Sequence, residues 1–105
     1  MDGLIRKYHV RYKDVIYRPE AVFSSLEAAV EFLERKNIEY LTSYGDGRYY
    51  EGLEQSCELQ AYLYTNEESV KACSAFRVDY IWSGAFHGFE KLNEAAEEYR
   101  KKLLE

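Results

Sequence analysis

The strongest constraint on the fold is a two-residue alternation of side-chain character in two separate segments. In residues 4–13 the even positions are apolar, with Arg6 as the exception, and the odd positions are mostly basic. Residues 57–64 alternate in the same way, with Leu59 and Leu63 on one face. A period of two is typical of a strand that buries one face. We therefore predict two amphipathic strands in one sheet.

Other segments extend the predicted sheet. A turn at Lys13 and Asp14 leads into a second strand, and Pro19 places that strand at an edge because proline cannot donate to a ladder. The glycines around Asp46 predict a tight turn between two more strands, since glycine adopts positive φ without strain. A last strand is predicted from a further alternation. These segments are residues 15–22, 38–44, 48–53 and 76–82.

Three helices are predicted between and after the strands. Ser24 and Glu27 have capping-box spacing and open a helix that runs to about Lys36. Residues 65–68 have the same spacing and open a short helix that ends near residue 75. The longest helix is predicted over residues 88–105. The predicted buried stripe of the first helix is Leu26, Ala29, Val30 and Leu33.

The last helix carries apolar side chains at alternating spacings of three and four, which also fit a heptad seam. The seam covers only about two heptads, so we expect it to pack on the chain's own sheet. A homodimer formed through this helix is the alternative. The stripe is Phe89, Leu92, Ala96, Tyr99 and Leu103.

These patterns predict a single α+β domain over residues 1–105. Its mainly antiparallel sheet has about five to six strands, with two or three helices packed mostly on one face. No composition shift marks a domain boundary, and the length is that of one domain.

Composition narrows the function classes. The net charge of −5 disfavours generic DNA binding, because an acidic chain repels polyanions at long range. No apolar run is long enough to span a membrane, and the first residues do not resemble a signal peptide. Two cysteines are too few for a disulfide scaffold, so we expect reduced, mostly buried thiols and a cytoplasmic protein.

No pattern of residues indicates catalysis, a metal or a cofactor. The acidic residues lack metal-ligand spacing, and no nucleophile elbow, phosphate loop or zinc helix is present. His9 and His87 are the only histidines, and we expect both to be surface or capping residues. We predict a non-enzyme without cofactors. A thiol enzyme using Cys73 and His87 is the least favoured alternative.

Tyrosine is the most over-represented residue type, with eleven in the chain. Tyrosines concentrate around the predicted hairpin at Asp46 and on the next strand, and tyrosine is enriched at protein interfaces. The preferred hypothesis is an inhibitor or adaptor that binds a partner protein with a basic surface. Its contact residues would be Tyr44, Tyr49, Tyr50, Tyr62 and Tyr64, rimmed by Glu51 and Glu54.

A second hypothesis rests on the basic face of the first strand. Cations spaced two residues apart present one charged face of a sheet, which suits the phosphate groups of a nucleotide or another small anion. Tyrosines would then stack on the bound molecule. The residues concerned are Lys7, His9, Arg11 and Lys13, with Arg18 on the neighbouring strand.

Overall fold

A computed structural model describes residues 3–12, 21–44, 57–84 and 89–104 of the chain. The strands are β1 (Ile5–Tyr12), β2 (Ala21–Phe23), β3 (Cys57–Tyr64) and β4 (Arg77–Ser83). The helices are α1 (Leu26–Tyr44), α2 (Glu67–Lys71) and α3 (Leu92–Leu104), and a single 3-10 turn (Phe89–Lys91) precedes α3.

The two segments with the clearest alternation form the centre of the sheet. The strand order is β2-β1-β3-β4, and each neighbouring pair is antiparallel. β1 and β3 pair along their whole length, with Ile5 opposite Tyr64 and Tyr12 opposite Cys57. The α+β class and the antiparallel sheet are therefore confirmed.

The core lies between one face of this sheet and helices α1 and α3. Val10 of β1 and Leu59 of β3 are fully buried, and they pack in one cluster with Leu33 of α1 and Leu92 of α3. The predicted stripe of α1 is buried, as are Leu92, Ala96 and Tyr99 of α3. The apolar side of α3 thus packs on its own sheet, as the short heptad seam predicted. We call this side of the sheet the helix face.

The number of strands differs from the prediction. The described residues contain four strands, whereas five to six were predicted. Residues 38–44, predicted as a strand, continue helix α1 to Tyr44. No glycine or proline lies between Lys36 and Tyr44 to end the helix earlier, and extending an existing helix is easier than starting a new element. The predicted strand 48–53 lies outside the described residues, as do residues 15–20.

Both predicted helix caps lie one residue later than expected. Ser25 Oγ, rather than Ser24 Oγ, accepts a hydrogen bond from the Ala28 N–H at 3.2 Å. Asn66 Oδ1 accepts from the Ser69 N–H at 2.8 Å and so caps α2. Two capping residues stand side by side in each case, and spacing alone does not choose between them.

None of the helices in residues 3–12, 21–44, 57–84 and 89–104 has the combination of length and apolar character that a bilayer span requires.

A hydrogen bond joins α3 to the edge strand β4. The hydroxyl of the buried Tyr99 donates to Asp79 Oδ2 at 2.8 Å, and burial raises the pKa of Tyr99 to about 12. A hydrogen bond to a charged partner contributes about 1.5–3 kcal/mol. Because Asp79 keeps its contact with Arg77, we expect Tyr99→Phe to lower the free energy of unfolding by about 1–2 kcal/mol.

Urea unfolding of the purified variants measures this difference. Tyr80→Phe is the matched control, since Tyr80 lies on β4 and is 77% exposed. It should change the free energy of unfolding by less than about 0.5 kcal/mol. Equal effects of the two substitutions would show that the Tyr99 hydroxyl does not anchor α3 to β4.

Candidate ligand-binding groove

A groove of about 530 Å³ lies on the sheet face opposite α1 and α3. We call it the sheet groove. Strands β1, β2 and β3 contribute its floor, and the segment that contains α2 closes one end. Among its lining residues are Lys7, His9, Arg11, Tyr62, Tyr64 and Cys73.

The alternation of β1 and β3 explains why these side chains meet. Lys7 stands opposite Tyr62 in the antiparallel register, and His9 stands opposite Gln60. Residues at odd positions of β1 and even positions of β3 therefore share the face that the core does not use. The structure brings together Lys7, His9 and Arg11 of the basic hypothesis with two tyrosines of the partner hypothesis, Tyr62 and Tyr64.

His9 and Tyr62 form a stacked pair in the middle of the groove. Their ring centroids are 3.9 Å apart and their planes differ by 9°. His9 is only 8% exposed, so the expectation of a surface or capping histidine was wrong. Burial, with the charge of Arg11 as a second cause, lowers the pKa of His9 to about 4. The imidazole is therefore neutral at pH 7 and offers one donor and one acceptor.

Two cations flank this stacked pair on the same strand. Lys7 Nζ donates to Ser24 Oγ at 3.2 Å, and Arg11 Nη1 donates to the Tyr62 hydroxyl at 3.2 Å. Lys7 and Arg11 are four residue steps apart along the strand, which is roughly 13 Å. No acidic side chain is among the described residues that line the groove. The described lining residues therefore carry a net charge opposite in sign to that of the whole chain.

Tyr64 closes the end of the groove near α2. Its side chain is 5% exposed, and burial raises the pKa of its hydroxyl. Tyr62 is half-buried. Tyr64 therefore offers little surface to a partner protein, because the segment after β3 folds back over this part of the sheet.

Cys73 borders the same end. It was expected to be buried, yet it is exposed, and its φ of 55° lies in the left-handed region that favours glycine. Cys57 is buried in the core, on the helix face of the sheet, and neither cysteine forms a disulfide. The two thiols thus lie on opposite faces of the sheet.

Three lining residues were not singled out from the sequence. Val22 of β2 is 49% exposed, and Val70 of α2 and Ser24 complete the wall. Val22 could have been found, because it stands opposite His9 once the pairing of β1 with β2 is known. Val70 carried no such signal, since only the tertiary position of α2 brings it to the groove.

The remaining predicted site residues do not join the groove in the part of the chain that is described. Tyr44 contributes its backbone to the end of α1. His87, the suggested partner of Cys73, lies outside the described residues. The same holds for Tyr49, Tyr50, Glu51, Glu54, Lys13 and Arg18. The partner-protein hypothesis and the thiol-enzyme alternative therefore stay predictions.

The described ranges contain no group of three or more histidine, cysteine or acidic side chains placed to hold a metal ion. No protein-family model, curated protein or solved structure matches the chain.

Proposed function

We propose that the protein is a non-catalytic binding protein whose sheet groove holds a small anionic ligand with a flat apolar part, such as a nucleoside phosphate. The observation that supports this most is the placement of Lys7 and Arg11 on either side of the His9–Tyr62 stack. Cationic donors in fixed positions favour phosphate or carboxylate oxygens. The aromatic and valine side chains between them favour a flat apolar group.

The size and charge of the groove favour a small molecule over a nucleic acid. A volume of about 530 Å³ falls within the range of roughly 300–1,000 Å³ that is usual for small-molecule sites. The net charge of −5 repels a long polyanion, while one short anion interacts mainly with the local cations.

The protonation state of His9 supports binding without catalysis. A general base works best when its pKa lies near the working pH. A pKa of about 4 makes the His9 imidazole a weak base at neutral pH, and its ring is held against Tyr62. We therefore assign His9 a role in shaping the groove. The reduced thiols of Cys57 and Cys73 support a cytoplasmic location as part of this proposal.

Thermal unfolding in the presence of AMP tests the proposal, with adenosine as the uncharged comparison and inorganic phosphate as the comparison without a ring. A ligand that binds only the folded chain stabilises it by about 2.7 kcal/mol at 100 times its Kd. For a domain of this size that corresponds to a rise in Tm of roughly 10 °C or more. AMP should raise Tm in a concentration-dependent way, and adenosine should have little effect.

Matched variants assign the effect to the groove. Arg11→Met and Lys7→Met should each weaken AMP binding by about 10- to 100-fold, as expected for losing a charged hydrogen bond. Lys101→Met removes the same charge from the exposed side of α3 and should leave binding unchanged. The proposal fails if neither AMP nor phosphate changes Tm, or if all three variants respond alike.

A further inference from the structure

Strand β4 lies at an edge of the sheet in the described part of the chain, because β3 pairs with one side of it and no described strand pairs with the other side. Two large exposed side chains lie on or next to this strand, Tyr80 at 77% and Phe76 at 67% exposure. The last turn of α3 lies alongside and carries Leu104, which is 88% exposed. Edge strands with exposed apolar side chains tend to pair with another strand.

The backbone of β4 determines which residues face outward. The N–H of Phe76 donates to the Leu63 carbonyl at 2.7 Å, so the backbone groups of Leu63 point toward β4, and Arg77, which stands opposite Leu63, directs its own groups toward β3. In an antiparallel ladder these groups alternate in direction. Val78 and Tyr80 therefore direct their N–H and C=O groups away from β3, toward the outer edge.

We propose that two copies of this chain pair through β4 in an antiparallel dimer with its two-fold axis at Val78. In this register the two Val78 residues exchange two backbone hydrogen bonds across the axis, and Arg77 of each copy stands opposite Asp79 of the other in a non-hydrogen-bonded pair, where side chains are closer. The inference does not depend on the proposed ligand.

The side chains match in this register on both faces of the sheet. On the helix face, Arg77 Nε and Asp79 Oδ1 of one chain form an ion pair at 3.0 Å. In the dimer, each of these charged side chains also lies opposite a side chain of opposite charge from the second copy. On the other face, Phe76 stands opposite Tyr80 of the second copy, an aromatic cross-strand pair. The dimer thus covers the exposed aromatic side chains of Phe76 and Tyr80 near this edge.

The neighbouring registers are less favourable. Moving the axis from Val78 to Arg77 places two arginines opposite each other, and moving it to Asp79 places two aspartates opposite each other. Like charges directly opposite one another destabilise a strand pair. An axis at Tyr80 leaves both charged residues without an oppositely charged partner across the strands. Charge complementarity therefore favours the axis at Val78.

Thiol cross-linking tests the register directly. Val78→Cys in a Cys73→Ser background places a thiol on the axis, where the opposing Cα atoms of an antiparallel pair are close enough for a disulfide. Tyr80→Cys in the same background is the matched control. That position is more exposed but stands opposite Phe76 of the second copy. Under mild oxidation we expect Val78→Cys to form covalent dimers at least tenfold faster than Tyr80→Cys.

Charge variants test the same contact without cross-linking. R77E and D79K each place like charges across the axis, so each should sediment as a monomer at concentrations where the wild type is a dimer. Mixing the two variants restores opposite charges and should restore a heterodimer. Circular dichroism and thermal unfolding check that each variant is folded. If D79K does not fold, because Tyr99 loses its acceptor, the cross-linking comparison decides alone.

The proposal is overturned by a monomeric wild type at 100 µM protein. It is equally overturned if Tyr80→Cys cross-links as fast as Val78→Cys, which would indicate a different register or random collision. Dimers that persist in both R77E and D79K would place the contact elsewhere on the chain.

Discussion

Leu33→Ala is expected to lower the free energy of unfolding by about 3 kcal/mol, within the range of about 2–5 kcal/mol for buried leucines. Leu33 is fully buried, and it packs in the cluster that joins α1 to the sheet. Shortening it removes apolar contact area and leaves a cavity that the helix and the strands only partly close. For a domain of this size the loss is a large part of the total stability.

Urea unfolding followed by circular dichroism measures this loss. Glu31→Ala is the matched control on the same helix. Glu31 is exposed, and its 3.7 Å ion pair with Arg35 joins two exposed side chains. An exposed pair of this kind contributes less than about 1 kcal/mol. If Leu33→Ala were no more destabilising than Glu31→Ala, α1 would not pack on the sheet as described.

The second large effect is a loss of stability in acid that depends on His9. The folded chain lowers the pKa of His9 from 6.5 to about 4, so between these values the unfolded chain binds a proton that the folded chain does not. Stability is therefore highest above pH 6.5 and falls as the pH drops toward 4. The contribution of His9 to this fall is at most about 3 kcal/mol.

Comparing the wild type with His9→Phe isolates this contribution from that of the carboxylates. The phenylalanine ring can stack on Tyr62 but cannot take up a proton. The groups that face position 9 stay in place, namely Lys7 and Arg11 on β1 with Gln60 and Tyr62 on β3. As the pH falls from 7.5 to 4, the free energy of unfolding of the wild type should fall by up to about 3 kcal/mol relative to that of His9→Phe. Parallel curves would show that His9 is not buried as a neutral ring.

The parts of the fold that could be predicted are those governed by local periodicity. β1, β3 and β4 follow from alternation, and the buried stripes of α1 and α3 follow from spacings of three and four. The continuation of α1 through residues 38–44 could not be predicted, because strand propensity there opposes a helix already started at Leu26. Propensity is the weaker influence once a helix has been nucleated and packed.

From the sequence, the candidate site could be predicted only as one face of strand β1. Alternation correctly placed Lys7, His9 and Arg11 together, and the pairing with β3 added Tyr62. The burial of His9 and Tyr64 depends on tertiary contacts that no periodicity contains, since α2 returns over the sheet only after β3.

We propose that an anion binds in the sheet groove between Lys7 and Arg11, and titrating the 15N-labelled protein with AMP while recording amide chemical shifts tests this binding at single residues. Saturable shifts are expected at Lys7, His9, Arg11 and Tyr62, with none on α3, and these shifts should be lost in the Arg11→Met variant. Shifts confined to other elements, or no shifts at millimolar AMP and inorganic phosphate, would contradict it.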